Sequence, residues 1–581
     1  MSIIKSVENK IKNYLKEIGY EVDRVILVPS SRKELGSYQV NNSFALAKEY
    51  HENPNEIANK ICEKLSSDPD FTNVNVAGGF VNISFSDNFY IENMNKVLED
   101  LDNNIDKEES KHIFMDYGGA NIAKTLHVGH LRPADIGEAV KRLAVKLGYK
   151  VTSDVHFGDI GRQSGMVIYE MRERFPELNY FKEDYNGNGD PLPITEKDLE
   201  EIYPLATSKA KENESVMEEV RRICVELENG NKAYNDLWNK IKELSIKDVK
   251  GIYDLLNTTF DLYEGEIECY PYIPELIDEL NKRNLLYESE GAQVVDVKED
   301  TDTEPMPPLV ILKGNGGTVY QTRDLATILS RMKRFNPDEI WYFTDNRQEL
   351  YFKQVFRVAR KAEIVNPDTE LKFFGFGSMN GPDGKPFKTR DGGVMSLHEL
   401  IRMVKEITAS KISVDLVKEE NREKTSEQIA IAALKYADLL PDRSKDFIFD
   451  TSKFADLDGK TGPYLLYSTV RINSLLEKAN IDKSSLKIEI IPEDEAFKDT
   501  LTTVLEMPTV LTKALQDKSL NGICEYLYKL TSNYNRFYAN NHIITCEEEK
   551  IKNSYLALSS LIYNINKELL DILAIEVPEK M

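Results

Sequence analysis

Residues able to grip a polyanion gather in one stretch: Lys124, then His127-Val128-Gly129-His130. Two imidazoles one short step apart can face the same anion, and the glycine between them lets a flat base approach the backbone closely. Asp116 precedes this stretch, and Asp154 through Gly165 follows it. The elements on either side have to position these groups. Lys111-His112-Ile113-Phe114-Met115-Asp116 is short, apolar and β-prone, the pattern of a buried strand. From Leu131 to Leu147, Ile136, Val140, Leu143, Ala144 and Leu147 recur at helical spacing. The tetrad therefore falls in a strand-to-helix turn and opens the helix. A helix start offers unpaired backbone N–H groups and the positive end of the dipole, and both attract phosphate. Taken alone, H-x-G-H is as well explained by surface histidines at an ordinary helix start.

The flanks decide between these readings. Asn121-Ile122-Ala123-Lys124-Thr125-Leu126-His127-Val128-Gly129-His130-Leu131-Arg132 resembles the first signature of class I aminoacyl-tRNA synthetases, in the version of the arginyl-tRNA synthetase family. Phe157-Gly158-Asp159-Ile160-Gly161-Arg162-Gln163-Ser164-Gly165-Met166 is similar to a further segment of that family. Ile160, Arg162 and Ser164 depart from its commoner form, while the glycine frame is intact. The resemblance covers nearly the full chain and is weakest over 175–300.

That resemblance implies roles for particular residues. Tyr320-Gln321-Thr322-Arg323-Asp324-Leu325-Ala326 resembles the family's arginine-pocket segment, so Tyr320, Asp324 and Gln348 are expected to hold the amino-acid side chain. Asp116 and Asn121 fall where the family also contacts the substrate, although glutamate is common where Asp116 stands. The family often carries His where Tyr351 stands, so no nucleotide contact is expected there. Pro386-Phe387-Lys388-Thr389-Arg390 looks like a degenerate form of the second class signature, KMSKS. Its usual fourth-position lysine is replaced by Thr389, and Lys124 is expected to substitute for it. Lys385, Lys388 and Arg390 would then clamp the leaving pyrophosphate. His127, Gly129, His130, Gly377, Met379 and Lys388 are the expected ATP contacts.

The chemistry of arginine fits these residues independently. A guanidinium is planar, permanently charged and carries five donors in a fork, so a carboxylate such as Asp324 can pair with it bidentately. Lysine cannot satisfy that fork, and citrulline brings no charge. Leaving a buried carboxylate without its cation costs several kcal/mol, enough to reject most competitors without a separate editing domain.

Bulk properties bound the rest. A chain of 581 residues is long enough for three or four domains. With 41% hydrophobic and 30% charged residues, it reads as globular rather than disordered. The five cysteines are scattered, which argues against a disulfide framework or zinc knuckle and for reduced thiols in the cytoplasm. Met1 to Tyr20 lacks the apolar centre of a signal peptide, and no apolar run is long enough to span a membrane. The formal net charge of −24 disfavours nucleic acid as a partner unless basic groups cluster on one face.

Three domains are expected. Residues 1–88 read as a small α/β domain, with helices over Ile3–Ile18, Asn42–Tyr50 and Pro54–Leu65. Its β-prone segments are Arg24–Val28 and Asn73–Phe85, and Pro29–Tyr38 reads as a loop. Family resemblance implies that this domain touches tRNA. The acidic 89–110 stretch reads as a solvated helix or linker. Residues 108–450 form the expected Rossmann-like catalytic domain, with a helical insertion over about 175–300 and a signature loop over 380–393. Within it, Pro307–Leu312 and Thr318–Gln321 are expected to form a hairpin resuming the sheet. Thr322 is expected to cap the following helix, with Asp324 in its first turn.

Residues 451–581 read as an all-α bundle that resembles an anticodon-binding domain. Tyr464, Tyr467 and Arg471 share a helix face suited to unstacked bases. Tyr534, Tyr538 and Met581 complete the tRNA contacts implied by the resemblance.

The resulting expectation is a multidomain α/β enzyme that acts as a monomer on L-arginine, ATP with Mg²⁺ and tRNA(Arg). It would have no tightly bound cofactor and no protein metal site. It would form arginyl-adenylate and pass the arginyl group to the terminal ribose, with tRNA required for activation as in the family. Two alternatives remain open: a class I ligase for another polar amino acid, and a non-catalytic tRNA-binding paralogue.

Overall fold

The computed structural model describes residues 1–108, 110–385, 395–409 and 417–581. They divide into two compact units: Met1–Glu108, Lys411–Tyr436 and Lys453–Met581 make up the first, Glu109–Ser410 and Ala437–Ser452 the second.

In the second unit, four parallel strands lie in the order Glu370–Phe376, Glu339–Asp345, His112–Asp116, Lys150–Asp154. The two central strands carry Ile113, Phe114 and Met115, and Ile340, Trp341, Tyr342 and Phe343, all buried. Such unbroken apolar runs belong to a parallel sheet covered on both faces. The chain leaves His112–Asp116 through the Leu131–Lys146 helix to reach one edge. It leaves Glu339–Asp345 through the Glu349–Lys361 helix to reach the other. Strand order thus reverses between the central pair, and ligands of open α/β sheets bind beyond the carboxyl ends at such a point. Asp116 and Asp345 end those two strands, and Asp116 lies in register with Asp154.

The insertion is helical over Glu196–Glu212, Glu214–Glu228 and Lys232–Leu255. Three expectations in this unit are corrected. Leu309–Leu312 does not resume the parallel sheet; it pairs antiparallel with Ala292–Val295 in a separate three-stranded sheet that also holds Leu286–Ser289. The expected hairpin shrinks to a single Leu312–Thr318 bridge, because helix begins already at Tyr320. Thr322 is therefore not the residue before the helix but lies inside its first turn. Its hydroxyl reaches back to accept the Val319 N–H at 3.2 Å and donates to the Ile311 carbonyl. Asp324 consequently sits one turn further in than expected, away from the unpaired N–H groups.

In the first unit, Leu27–Pro29, Tyr38–Val40, Phe80–Phe85 and Phe71–Ala77 form an antiparallel sheet in that order. The expected loop thus ends in a strand at Tyr38, and Asn73–Phe85 is a hairpin rather than one segment. Gly78 and Gly79 take φ +60° and +85° to turn it, a conformation glycine adopts without strain. The start of the acidic stretch is helical, as one of its two readings has it, but the Asp87–Glu99 helix buries Phe89, Tyr90, Met94 and Val97 and so packs one face into the core. The C-terminal part packs Gly462–Ala479, Glu495–Val504, Met507–Asp517, Asn521–Asn540 and Glu549–Ile572 as a helical bundle. Leu465, Ile472, Leu475 and Leu476 point into its core.

Candidate active site

The signature turn is wired by its own side chains. The His127 Nδ1 accepts the Gly129 N–H at 3.1 Å, and the His130 Nδ1 accepts the His127 N–H at 3.0 Å. A backbone amide can only donate, so each ring is left with its proton on Nε2. Burial drives the His127 pKa down, with Lys124 adding to the effect. Burial, with His127 beside it, pushes His130 down to about 3. Both rings are neutral near pH 7 and present an Nε2–H donor. A Cβ on Gly129 would fall 2.9 Å from the His127 ring, so glycine here makes room for that imidazole.

The segment just before is clamped on two sides. Ile122 donates to the Gly158 carbonyl at 3.0 Å and Gly158 to Ala120 at 3.0 Å. Ala123, at φ +57°, donates its N–H to Ser245 Oγ of the insertion at 2.9 Å. Asn121 lies over Gly158, where any Cβ would meet its Oδ1 at 2.4 Å, and Gly165 brings its helix against the Val220 carbonyl. The glycine frame is thus a set of close approaches. Lys124 ends this segment with its Nζ 4.8 Å from the centre of the Tyr203 ring.

At the carboxyl ends of the sheet lies a cluster of charge. Arg331, buried and inside the Tyr320–Phe335 helix, donates to Asp116 at 2.7 Å and to Asp154 at 3.0 Å. Its guanidinium stands 4.5 Å over the Phe114 ring. His156, in the left-handed region at φ +46°, places Nδ1 3.4 Å from Asp154 Oδ2. Burial opposes its charge, but Asp154 wins and raises its pKa. Sequence reasoning did not find Arg331, Asp154 or His156 as a group, because Arg331 lies too far along the chain from its carboxylates for any local pattern to show.

Asp324 contrasts with them. It accepts the hydroxyl of Tyr351, and among the described residues it makes no ion pair. Burial, only partly offset by the Tyr351 hydroxyl and by His156, pushes its pKa up to about 6; nearby Glu266 and Asp116 add to the rise. Tyr351, discounted as a nucleotide contact, is thus a partner of the pocket carboxylate. Glu266 is a further acid that went unnoticed. The chain around it is held beside Phe157 by N–H···O bonds of 2.7 and 3.0 Å, and its carboxylate pairs with Arg323 at 2.6 Å. Tyr320 is 60% exposed at the helix start, with the Arg323 guanidinium 5.5 Å over its ring. Gln348 is exposed at the end of the short Asn346–Gln348 turn.

On the approach to the second signature, Arg132 is buried at the start of the first-signature helix. It pairs with Asp438 at 2.9 Å and donates to the carbonyls of Gly377 and Lys445 at 2.5 and 3.1 Å. Gly377 is packed so closely on the Lys445 backbone that a Cβ would fall 2.3 Å from it. Met379 is buried and pairs with Phe447, which leaves its side chain little access to a nucleotide. Lys385 is exposed, its carbonyl accepting the Gly381 N–H at 2.7 Å. Lys388 and Arg390, with the rest of Pro386–Arg390, lie outside the described residues. Beyond them, Val128 donates to Met395 at 3.1 Å and Leu397 to Leu126 at 2.8 Å, tying that chain segment to the histidine turn.

In the helical bundle, Tyr464, Tyr467, Arg471 and Tyr538 meet. The Arg471 guanidinium lies 5.7 Å over Tyr467 and 4.8 Å over Tyr538, and Asn535 binds both Arg471 and the Tyr464 hydroxyl. Tyr467 is 41% exposed. Tyr534 is a correction: it is fully buried and donates to Ser559 at 2.9 Å, so its ring belongs to the core. Met581 is likewise packed away at 5% exposure.

Known proteins match this chain from end to end. The family model for the tRNA synthetases class I (R) catalytic domain matches residues 92–451. The arginyl tRNA synthetase N terminal domain matches 4–85, and the DALR anticodon binding domain matches 465–581. The chain is 40% identical over 584 residues to an arginine–tRNA ligase of Alkaliphilus oremlandii and 41% identical over 595 residues to one of Agathobacter rectalis. Both alignments cover 100% of each partner. The fold is shared with the arginyl-tRNA synthetases of Plasmodium falciparum and Thermus thermophilus, each with TM-score 0.80 over 100% of both chains, at 23% and 19% identity. Three domain models in one chain, full-length relatives and a common fold agree: the chain belongs to the arginyl-tRNA synthetase family.

Proposed function

We propose that this chain is an arginine–tRNA ligase, consuming ATP as its Mg²⁺ complex to charge tRNA(Arg). The observation that carries the choice of amino acid is Asp324, a carboxylate inside the crevice that takes a tyrosine hydroxyl but, among the described residues, no ion pair. A substrate guanidinium supplies that cation and two parallel hydrogen bonds. Tyr320 and Gln348 flank the side chain at the exposed rim, and Asp116 and Asn121 lie toward the α-amino end.

In the first step an oxygen of the arginine carboxylate attacks the α-phosphorus of ATP. The bond to the bridging oxygen breaks, and pyrophosphate leaves with that electron pair. No protein nucleophile takes part; the residues place the reactants and stabilise charge on the phosphates. The Nε2–H groups of His127 and His130 donate to phosphate oxygens, and the Lys124 ammonium supplies the positive charge that the neutral rings do not. Gly129 seats the His127 ring and Gly377 the Lys445 backbone, so both shape the nucleotide site from behind, and Lys385, Lys388 and Arg390 follow the departing pyrophosphate. In the second step the terminal 2′-hydroxyl of tRNA attacks the arginyl carbonyl, and AMP leaves. Tyr464, Tyr467, Arg471 and Tyr538 meet unstacked anticodon bases. None of the five cysteines is joined in a disulfide, in keeping with a reducing cytoplasm.

ATP–pyrophosphate exchange measured across amino acids, with tRNA present, tests this reading. Exchange driven by arginine alone is expected. Exchange driven by lysine or glutamine and not by arginine overturns it.

A further inference from the structure

The helical insertion carries a residue that the reaction chemistry does not require. Tyr203 lies in the Glu196–Glu212 helix, and its ring joins an apolar cluster with Met166, Ala206, Ala210 and Val220. Pro204 follows directly, inside the helix, where it has no N–H to give the preceding turn. Thr207 donates its hydroxyl back to the Tyr203 carbonyl at 2.8 Å, a bond of the kind that accompanies helix bending. The ring is therefore fixed on both its backbone and its packed side, and the Lys124 ammonium stands 4.8 Å from its centre. Lys124 has four side-chain rotors but a rigid root, since Ala123 is bound to Ser245 and Ile122 to Gly158. The same ammonium is near enough to the signature turn to depress both His127 and His130.

We propose that Tyr203 is a positioning residue for Lys124, its ring holding the ammonium beside the histidine turn before ATP arrives. This rests on the reading of Lys124 as the group that meets the phosphates. A lysine stem loses rotamer freedom when it is fixed. A ring that already restricts the stem removes part of that cost from the activation step. The insertion is thereby tied to adenylate formation through one aromatic face, which a hydroxyl-free ring supplies equally well.

The test is ATP–pyrophosphate exchange on the full chain with arginine and tRNA present. It uses Tyr203→Leu, Tyr203→Phe, Lys124→Ala and the Tyr203→Leu/Lys124→Ala double variant. Tyr203→Leu is expected to lower kcat about tenfold, the effect of ~1.4 kcal/mol, with the arginine KM unchanged. Tyr203→Phe, which keeps the ring, is expected within twofold of wild type. In the Lys124→Ala background, Tyr203→Leu is expected to change nothing further, since the pair acts as one unit. Thermal unfolding of each variant accompanies the rates, and Tyr203→Met fills the apolar cluster without a ring should leucine prevent folding. An unchanged rate in Tyr203→Leu, an equal loss in Tyr203→Phe, or a tenfold loss that persists without Lys124 overturns the proposal. Full turnover in Lys124→Ala instead removes Lys124 from the mechanism, a separate failure.

Discussion

Two carboxylate sites lie at the head of the same parallel sheet and are treated in opposite ways. At the strand ends, Asp116 and Asp154 share Arg331, with His156 against Asp154, so the charges are balanced within the protein. One helix entrance away, Asp324 has a hydroxyl donor and neighbouring acids, and its pKa is pushed up to about 6. The first site is finished when the chain folds. The second has no ion pair among the described residues and gains one only from a cation outside the chain. The difference teaches how one fold can hold acids as scaffold and as selector at the head of one sheet.

The comparison breaks most visibly if the two sites are disarmed in turn. Asp324→Asn keeps an acceptor for Tyr351 and folds normally, but loses the ion pair with substrate. A loss of about a thousandfold in kcat/KM for arginine is expected, in line with ~3–5 kcal/mol for one partner of a buried pair. Steady-state aminoacylation measures it, with the ATP KM little changed. Arg331→Met should do the reverse, striking stability first. It strands Asp116 and Asp154, and denaturant unfolding should show a loss of about 3–5 kcal/mol. A mild phenotype there would mean the strand-end cluster is not the structural half of the contrast.

Smaller effects sharpen it. Tyr351→Phe removes the donor that holds Asp324 ionised, so its pKa should climb further and the arginine KM rise several-fold at pH 7, read from the KM alone. Tyr467→Ala, in the bundle, serves as the distant control. It should raise the tRNA KM by roughly tenfold, on the scale of ~1–3 kcal/mol per stacked base, while leaving the arginine KM untouched.

What the sequence made legible follows from how local each feature is. The buried strand before the histidine turn and the helix after it are patterns of neighbouring residues, and they fold as such. Asp324 lies one turn deeper than its sequence predicts, because Thr322 looks like a helix cap. Only the structure shows Val319 in that place and Thr322 reaching back to it. Leu309–Leu312 was assigned to the wrong sheet because its partner, Ala292–Val295, precedes it and carries no hairpin signal toward it. Arg331 was invisible for the same reason in sharper form: its two carboxylates stand 215 and 177 residues away. Tyr534 shares an aromatic stripe with Tyr538, and composition alone cannot say which ring faces the core.

Asp324 also gives the account its pH dependence. An acid with a folded pKa above its ordinary 3.8 binds more protons folded than unfolded between about pH 4 and 6. Its contribution to stability is therefore largest at low pH, declines across that window and is lost above about 6. Arginine, which needs the carboxylate ionised, relieves that cost. The most direct measurement is arginine affinity from pH 5 to 8, by equilibrium dialysis with tRNA present, in the native chain and in Asp324→Asn. The native chain should bind about tenfold more weakly at pH 5 than at pH 7, with a midpoint near 6, and the variant should bind weakly with no such midpoint. Equal affinity in the two proteins, or a native profile that stays flat through pH 6, would contradict the claim that Asp324 is the cation-seeking group.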